Sequence, residues 1–502
     1  MKKNILLIIA GLLILSFAST SFAWQGRMSG MGDPFGLISD ESDFFIHPAK
    51  IADGNGSNYY ADYRFNYVQV TKWNNVFSYN PAIEGATQYP FMATGSERDH
   101  AMSFGGTWAF GPGRLGLFLQ YATKDGSFNG SDNHGTVVVN HDTFSFDTDK
   151  RFFDVKLIYG LPLGSWKLGT ELAVGHRTYF NSTTQIIGNF TVLNNPIGAR
   201  DPLYNTFPYM VPTDWRWKEA SFKVSAENAI GPGILTFTPK IATVFHGTSE
   251  YNNRFLIGTS AVDDIHNTGS LKGWSTGADL WYRVKLNDSA TLPFVASLNY
   301  DRKRAEISAF DSAVLQPVQL SGETKEIVFE VGGGIDKNIS KETKIASGLY
   351  YDYIRSKTMF MYDFTNESNY IVANNETPLE RENRIVLKTV CEHVFSPAIT
   401  ARGGINAFYG WMKDRYNFIN TQAGLSLESQ DLSTSGHRWG LNAAAGATVL
   451  ASKLSIEPFL TAGLQKTKLD NSNGSFFPPA ASVSLQSDKS EWTVGGGVSI
   501  KY

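Results

Sequence analysis

Cysteine is nearly absent: of 502 residues only Cys391 carries a thiol. An intramolecular disulfide is therefore excluded, as is a zinc site built on paired cysteines. Cys391 reads as a small apolar residue on a strand. Net charge is almost as scarce, at −3, and no block of like charge stands out, so nothing favours nucleic acid. Beyond residue 23 no apolar run approaches the roughly 20 residues that a transmembrane helix needs, so any membrane span must be made of strands. Signatures of catalysis are missing as well. There is no Gly-x-Ser-x-Gly nucleophile turn and no His-Glu-x-x-His. His134 and His141 share one connection and read as solvated. Residues 470–474 open like a calcium loop, but Ala481 stands where the closing Glu belongs. The reading is of no enzyme, no metal and no cofactor.

What the chain does have is aromatic residues, at 13%, and frequent glycine. The amino terminus pairs Lys2 and Lys3 with the apolar run 5–18 and then Ser21-Phe22-Ala23. That order is expected of a cleaved secretory signal, residues 1–23, with the mature chain starting near Trp24. Residues 24–56 are interrupted by Gly, Pro and polar side chains and read as loop and short helix. From residue 57 to 502 the chain alternates apolar and polar residues in short bursts. Tyr59, Tyr63 and Phe65 oppose Asp62, Arg64 and Asn66, and Trp492, Val494 and Ile500 oppose small or polar residues before the chain stops at Tyr502. Side chains alternate faces along a strand, so each burst is a two-faced strand. About sixteen are counted (about 14–18 allowing for ambiguous ones).

The connections alternate short and long. Gly111-Pro112-Gly113, Asn287-Asp288 and Ser396-Pro397 are short; 72–99, 123–150, 181–218 and 412–435 are long. Within 123–150, the runs 136–139 and 143–146 are expected to form a small separate hairpin. Short turns at one end and long loops at the other are expected of an all-β, transmembrane antiparallel up-and-down β-barrel, carrying an amino-terminal plug or hatch-like segment. In hydrocarbon a closed barrel leaves no backbone group unpaired. Its apolar face must then meet lipid, because a lipid-facing Lys or Arg at mid-depth costs roughly 2–4 kcal/mol. The charges on the other face are candidates to line the lumen: Arg64, Lys156, Lys167, Glu171, Arg177, Lys223, Glu227, Lys240, Asp279, Arg283, Glu330, Asp352, Arg402 and Glu457. Sixteen strands leave room for an aqueous channel unless something fills it. Rings near strand ends, such as Trp108, Trp274, Tyr300 and Trp439, suit interfacial girdles. The longest connection, 181–218, is expected to fold inward and constrict the pore through Arg200, Asp201, Asp214 and Arg216.

The last strand resembles the terminal strand by which outer-membrane proteins are recognised by the barrel-assembly machinery. Residues 30–49 resemble the amino-terminal segment of FadL-type outer-membrane transporters. The matching residues are Gly30, Met31 and Gly32, the acidic Asp40 and Asp43, Phe44 and Phe45, then Pro48 and Ala49, with His47 where that family usually has Asn. The resemblance implies a segment tucked into the periplasmic mouth of a barrel in the bacterial outer membrane, with Gly30, Gly32, Asp40, Asp43, Phe44, Phe45, His47 and Pro48 as hatch residues. Three functions compete. The charged lumen favours a porin-like channel for passive diffusion of small solutes. The amino-terminal resemblance favours a FadL-like transporter of long-chain fatty acids or other hydrophobic compounds. The third is a scaffold barrel plugged by a partner protein. Expected partners are outer-membrane lipid and lipopolysaccharide, a small-molecule solute and the barrel-assembly machinery; oligomeric state is left open.

Overall fold

The computed structural model describes residues 25–29, 31–32, 36–80, 85–133, 141–186, 214–257, 260–311, 316–364, 371–422, 425–476 and 482–502. Sixteen antiparallel strands form one sheet that closes on itself. They are β1 (Asn58–Asn80), β2 (Gly85–Phe110), β3 (Gly113–Asn133), β4 (His141–Leu163), β5 (Trp166–Ile186), β6 (Asp214–Ile230), β7 (Gly233–Ile257) and β8 (Ser260–Asn287). The second half continues with β9 (Ala290–Asp311), β10 (Gln316–Asn338), β11 (Thr343–Phe364), β12 (Ile371–Ser396), β13 (Ile399–Gln422), β14 (Leu425–Ala451), β15 (Leu454–Phe476) and β16 (Ser482–Lys501). Each strand pairs with its sequence neighbours. The ring closes where β1 meets β16, with Tyr60 opposite Lys501 and Phe65 opposite Gly496. At the seam the Tyr59 and Tyr502 backbones exchange hydrogen bonds of 2.9 and 3.0 Å. Closure satisfies the row of peptide groups that an edge strand would leave open.

The two faces divide as the alternation requires. Leu172, Phe222, Ile241, Leu298, Leu349, Ile385, Leu441 and Leu460 are exposed on the outer wall. The opposite parity holds buried charge, including Asp62, Glu171, Glu227, Asp352 and Arg402. An apolar wall turned outward around a closed sheet is the geometry of a membrane-spanning barrel, since water would not tolerate so much greasy surface. Leu349 lies midway up the wall and is 59% exposed. Leu349→Arg should therefore cost roughly 2–4 kcal/mol of stability in a bilayer. Denaturant unfolding in vesicles reads that cost, and an unchanged midpoint would place Leu349 away from lipid.

One expectation about the connections is corrected. The long stretches are largely not loops but strand. β1 and β2 stay paired from Lys72 opposite Ala93 to Asn80 opposite Gly85, and β13 and β14 from Lys413 opposite Ser435 to Gln422 opposite Leu425. Each antiparallel hairpin satisfies its own backbone, so pairing continues after the apolar alternation ends. Likewise 470–476 belong to β15 and 143–146 to β4, so neither a calcium loop nor a separate hairpin forms there. Residues 136–139 and His134 lie outside the described residues. At the other end the turns are tight; Gly111, Gly164 and Gly231 adopt positive φ near 60° there, a region glycine enters without a Cβ penalty.

Candidate functional site

Inside the barrel, at the short-turn end, lies the amino-terminal segment. It consists of a short helix (Gln25–Ser29) and two 3-10 turns, Glu41–Phe45 and Pro48–Asp53. Asp40 caps the first turn: its carboxylate accepts from the Ser42 N–H at 2.9 Å, while the Asp43 carboxylate accepts from the Asp40 N–H at 3.0 Å. This reciprocal pair satisfies two donors that a helix start otherwise leaves open. Pro48 opens the second turn, where its missing N–H costs nothing. Leu37, Ile38, Asp43, Phe44, His47 and Ala49 are all buried.

Two apolar clusters join this segment to the inner wall. Met28, Met31, Leu37 and Ile38 pack with Trp281, Val295, Tyr350, Val386 and Val390. Phe44, Phe45 and Ile51 pack with Tyr60, Phe118 and Ile158. The Phe118 ring stacks on Phe44 at 5.6 Å and meets Phe45 edge-on at 5.0 Å. Between these wall rings the inner face carries glycine. A Cβ on Gly169 would collide with the backbone of Pro48 and Ala49, and one on Gly404 with the Met31 carbonyl. The backbone of the segment thus lies directly on the wall.

Ion pairs fasten it around the ring. Arg27 bridges Asp40 at 2.8 Å and Glu392 of β12 at 2.9 Å. Lys50 reaches Glu227 of β6 at 3.0 Å, and Asp53 meets Lys167 of β5 at 2.5 Å. Lys223 donates to the Phe45 carbonyl at 2.6 Å, and Lys501 to Glu41 at 2.5 Å. Arg283 points at the Gly36 and Leu37 carbonyls, 3.4 and 3.5 Å away, while pairing with Asp336 at 3.0 Å.

The luminal candidates therefore do not line an empty channel. Lys167 and Glu227 pair with each other at 2.7 Å, Lys223 with Glu171 at 3.0 Å, and Lys240 with Asp279 at 2.8 Å. Asp352 binds Arg384 at 2.6 Å, and Arg177 clamps Asp154 and Glu219, each at 2.6 Å. Arg402 contacts Thr448 and lies 3.9 Å from Glu457. Lys156 sits 5.3 Å from the Phe45 ring. Glu330 stands opposite Asp352, and Arg64 opposite Gly497. Of the hatch candidates, Gly32 accepts from Asn406 through its carbonyl, and Gly30 lies outside the described residues. The constriction set is corrected in part. Asp214 and Arg216 are not in a loop but on β6, opposite Phe180 and Thr178, and Arg216 shares the parity of the outward Phe222 and Val224. Arg200 and Asp201 lie outside the described residues.

Sequence reasoning missed Arg27, Lys50, Glu392 and the inward rings Phe118, Trp281 and Tyr350. The available signal was bulky apolar residues on the wet parity, interleaved there with glycine, close to the short turns.

Of the buried titratable groups in the segment, His47 and Asp43 are moved far from their ordinary values. His47 Nδ1 meets Thr238 Oγ1 at 2.7 Å, and Thr238 donates onward to Ser225 at 2.8 Å. The Thr238 oxygen thus accepts, Nδ1 carries the proton, and Nε2 has no partner among the described residues. The ring lies edge-on to Trp281 at 4.3 Å. Burial, aided by Lys50, pulls the His47 pKa from 6.5 down to about 3. Burial pushes Asp43 from 3.8 up to about 7. For Asp43 the docked value is the higher one, so docking is strongest below pH 3.8 and weakens as pH rises toward 7. For His47 the docked value is the lower one, so docking is strongest above pH 6.5 and weakens as pH falls toward 3. Between these limits the slopes, about 1.4 kcal/mol per pH unit each, oppose and nearly cancel. Protease sensitivity of the segment should be nearly flat with pH in the native chain. It should fall with rising pH in Asp43→Asn and rise with it in His47→Gln; parallel profiles in both variants would contradict this assignment.

No family model matches the sequence, and no curated protein matches it. Similar solved structures include the P. putida toluene transporter TodX, 10% identical over 96% of this chain and 98% of that one, with a TM-score of 0.37. A Pseudomonas aeruginosa FadL homologue is 11% identical over 96% and 98%, with a TM-score of 0.43. The Ralstonia pickettii toluene transporter TbuX is 10% identical over 95% and 99%, with a TM-score of 0.36. At these identities and scores the likeness carries no argument about substrate, and the firm identification is architectural: a closed sixteen-stranded membrane barrel whose own amino-terminal segment is folded into its lumen.

Proposed function

We propose that the chain is a FadL-like outer-membrane transporter of a hydrophobic compound, such as a long-chain fatty acid, with residues 25–53 acting as its hatch. The observation that carries this reading is the occupied lumen: the segment is held to the wall by two apolar clusters and by ion pairs to β5, β6, β12 and β16. A passive porin needs a standing aqueous path, whereas a hatch packed on aromatic wall residues gives a greasy solute surfaces to displace. The substitution of His47 for the family's usual Asn keeps a polar group at that position.

The porin-like reading has one observation in its favour. A cavity of about 230 Å³ on the inner wall of β6–β10 is lined by Lys223, Lys240, Asn299, Asp301 and Glu326, groups that suit a polar solute. Proteoliposomes separate the two. The full chain should speed entry of a labelled long-chain fatty acid over protein-free vesicles and leave a small sugar at the protein-free rate. Sugar entry without fatty-acid entry would overturn the transporter reading and leave the porin.

A further inference from the structure

The outer face of β8–β13 changes character at one height. Going up from the short turns, β9, β11 and β13 show aliphatic residues and then rings. Leu298 precedes Tyr300 on β9, Leu349 precedes Tyr351 and Tyr353 on β11, and Ile405 precedes Tyr409 and Trp411 on β13. Trp274 and Tyr300 touch at 5.1 Å. Directly beyond the rings, the same parity turns basic. Lys272 stands opposite Arg304, and Trp274 opposite Arg302. Arg302 faces Lys325, and Lys325 faces Lys357. Arg355 faces Arg381, and Arg381 faces Lys413.

Like charges directly opposite each other destabilise a sheet. On this face Glu323 pairs with Arg302 and Lys325, and Glu306 with Arg304. No ion pair within the described residues covers Lys272, Arg355, Arg381 or Lys413. Elsewhere around the barrel several basic residues at this height have an acidic partner. Arg98 faces Asp125, Lys468 faces Asp488, and Arg151 pairs with its own neighbour Asp149 at 2.6 Å. Outside the arc Lys218 on β6 also faces outward at this height, opposite His176 and His246; the arc is where basic residues stand directly opposite one another on strand after strand.

Its height fixes what it meets. From Ala290 at the foot of β9 to Arg302 is 12 steps. At a rise of about 3.3 Å per residue and a tilt near 40°, that is about 30 Å, just beyond an apolar band about 25 Å tall. Arginine and lysine at that level lie among lipid headgroups, and a phosphate between two such side chains relieves their repulsion with charge-assisted hydrogen bonds.

We propose that the outer face of β8–β13 beyond its aromatic girdle is a docking surface for the phosphorylated sugar headgroups of lipopolysaccharide. The surface follows from the wall and its register, and is independent of what the lumen carries.

The test is retention of purified diphosphorylated lipid A by the full chain in uncharged detergent, read by native mass spectrometry. The variant Lys272→Gln/Arg304→Gln/Arg355→Gln/Arg381→Gln/Lys413→Gln should bind at least about tenfold more weakly. The control Arg98→Gln/Arg151→Gln/Lys468→Gln should stay within about twofold of the native chain. Dephosphorylated lipid should bind poorly to all three, and millimolar inorganic phosphate should fail to displace lipid A. Heat-modifiable gel migration shows that each variant is folded. Should the fivefold variant not fold, Arg355→Gln/Arg381→Gln/Lys413→Gln is measured in its place. Equal retention by the arc variant, equal loss in the control, or displacement by free phosphate would overturn the assignment.

Discussion

Gly169→Val combined with Gly404→Val is expected to open the barrel to small sugars. Both glycines face the lumen, on β5 and β13, where a Cβ would strike the backbone of Pro48 and Ala49 at one site and the Met31 carbonyl at the other. Backbone cannot swing aside as a side chain does, so the segment itself must shift. Overpacking of this kind costs roughly 1–3 kcal/mol per site, and the two sites lie on separate strands, so the effects should nearly add. A loss of about 3 kcal/mol already moves the docked-to-free ratio by roughly 100-fold. The wall itself should hold, because valine suits a strand and every inter-strand hydrogen bond remains. Swelling of proteoliposomes in a small sugar reads the result: no swelling for the native chain and rapid swelling for the double variant. A folded double variant that still excludes sugar would show that the segment is not what closes the lumen.

Replacing Arg27 is expected to free the segment by a different route. Its guanidinium joins Asp40 within the segment to Glu392 on the wall, and the Asp40 side chain is only 3% exposed. Arg27→Gln leaves Asp40 in a low-dielectric site without its cation, and Glu392 with Arg402 alone at 3.5 Å. Breaking one partner of a buried pair costs about 3–5 kcal/mol; Arg27 is a quarter exposed, which puts the expectation near the lower figure. Limited proteolysis within residues 25–53 should accelerate by roughly 100-fold. Adding Asp40→Asn should recover part of the loss, since the stranded charge is then gone, and lysine in place of Arg27 should serve poorly because it lacks the planar fork. Additive losses in the double variant would mean that the two residues do not interact.

The barrel was legible because its cause is a period of two. Alternation such as Phe222, Lys223, Val224 assigns strand and face together, and the number of such bursts gave the sixteen strands found in the closed sheet. The interior was less legible for a physical reason. Alternation reports which side faces water or lipid, not what fills the space on the wet side. Alternation places Glu171 and Glu227 on the luminal face but does not show that they are buried there against Lys223 and Lys50. Arg27 and Glu392, 365 residues apart, carry no local pattern that could join them. The outer hairpins read as loops in the sequence because their apolar residues, such as Trp73, Val76, Phe77 and Tyr79, keep no strict period of two.

The occupied lumen is tested most directly by single-channel recording of the full chain in a planar bilayer. With residues 25–53 seated on the inner wall, the trace should stay at baseline or show only brief, small openings. Long-lived steps as large as an empty sixteen-stranded barrel would pass would contradict the account.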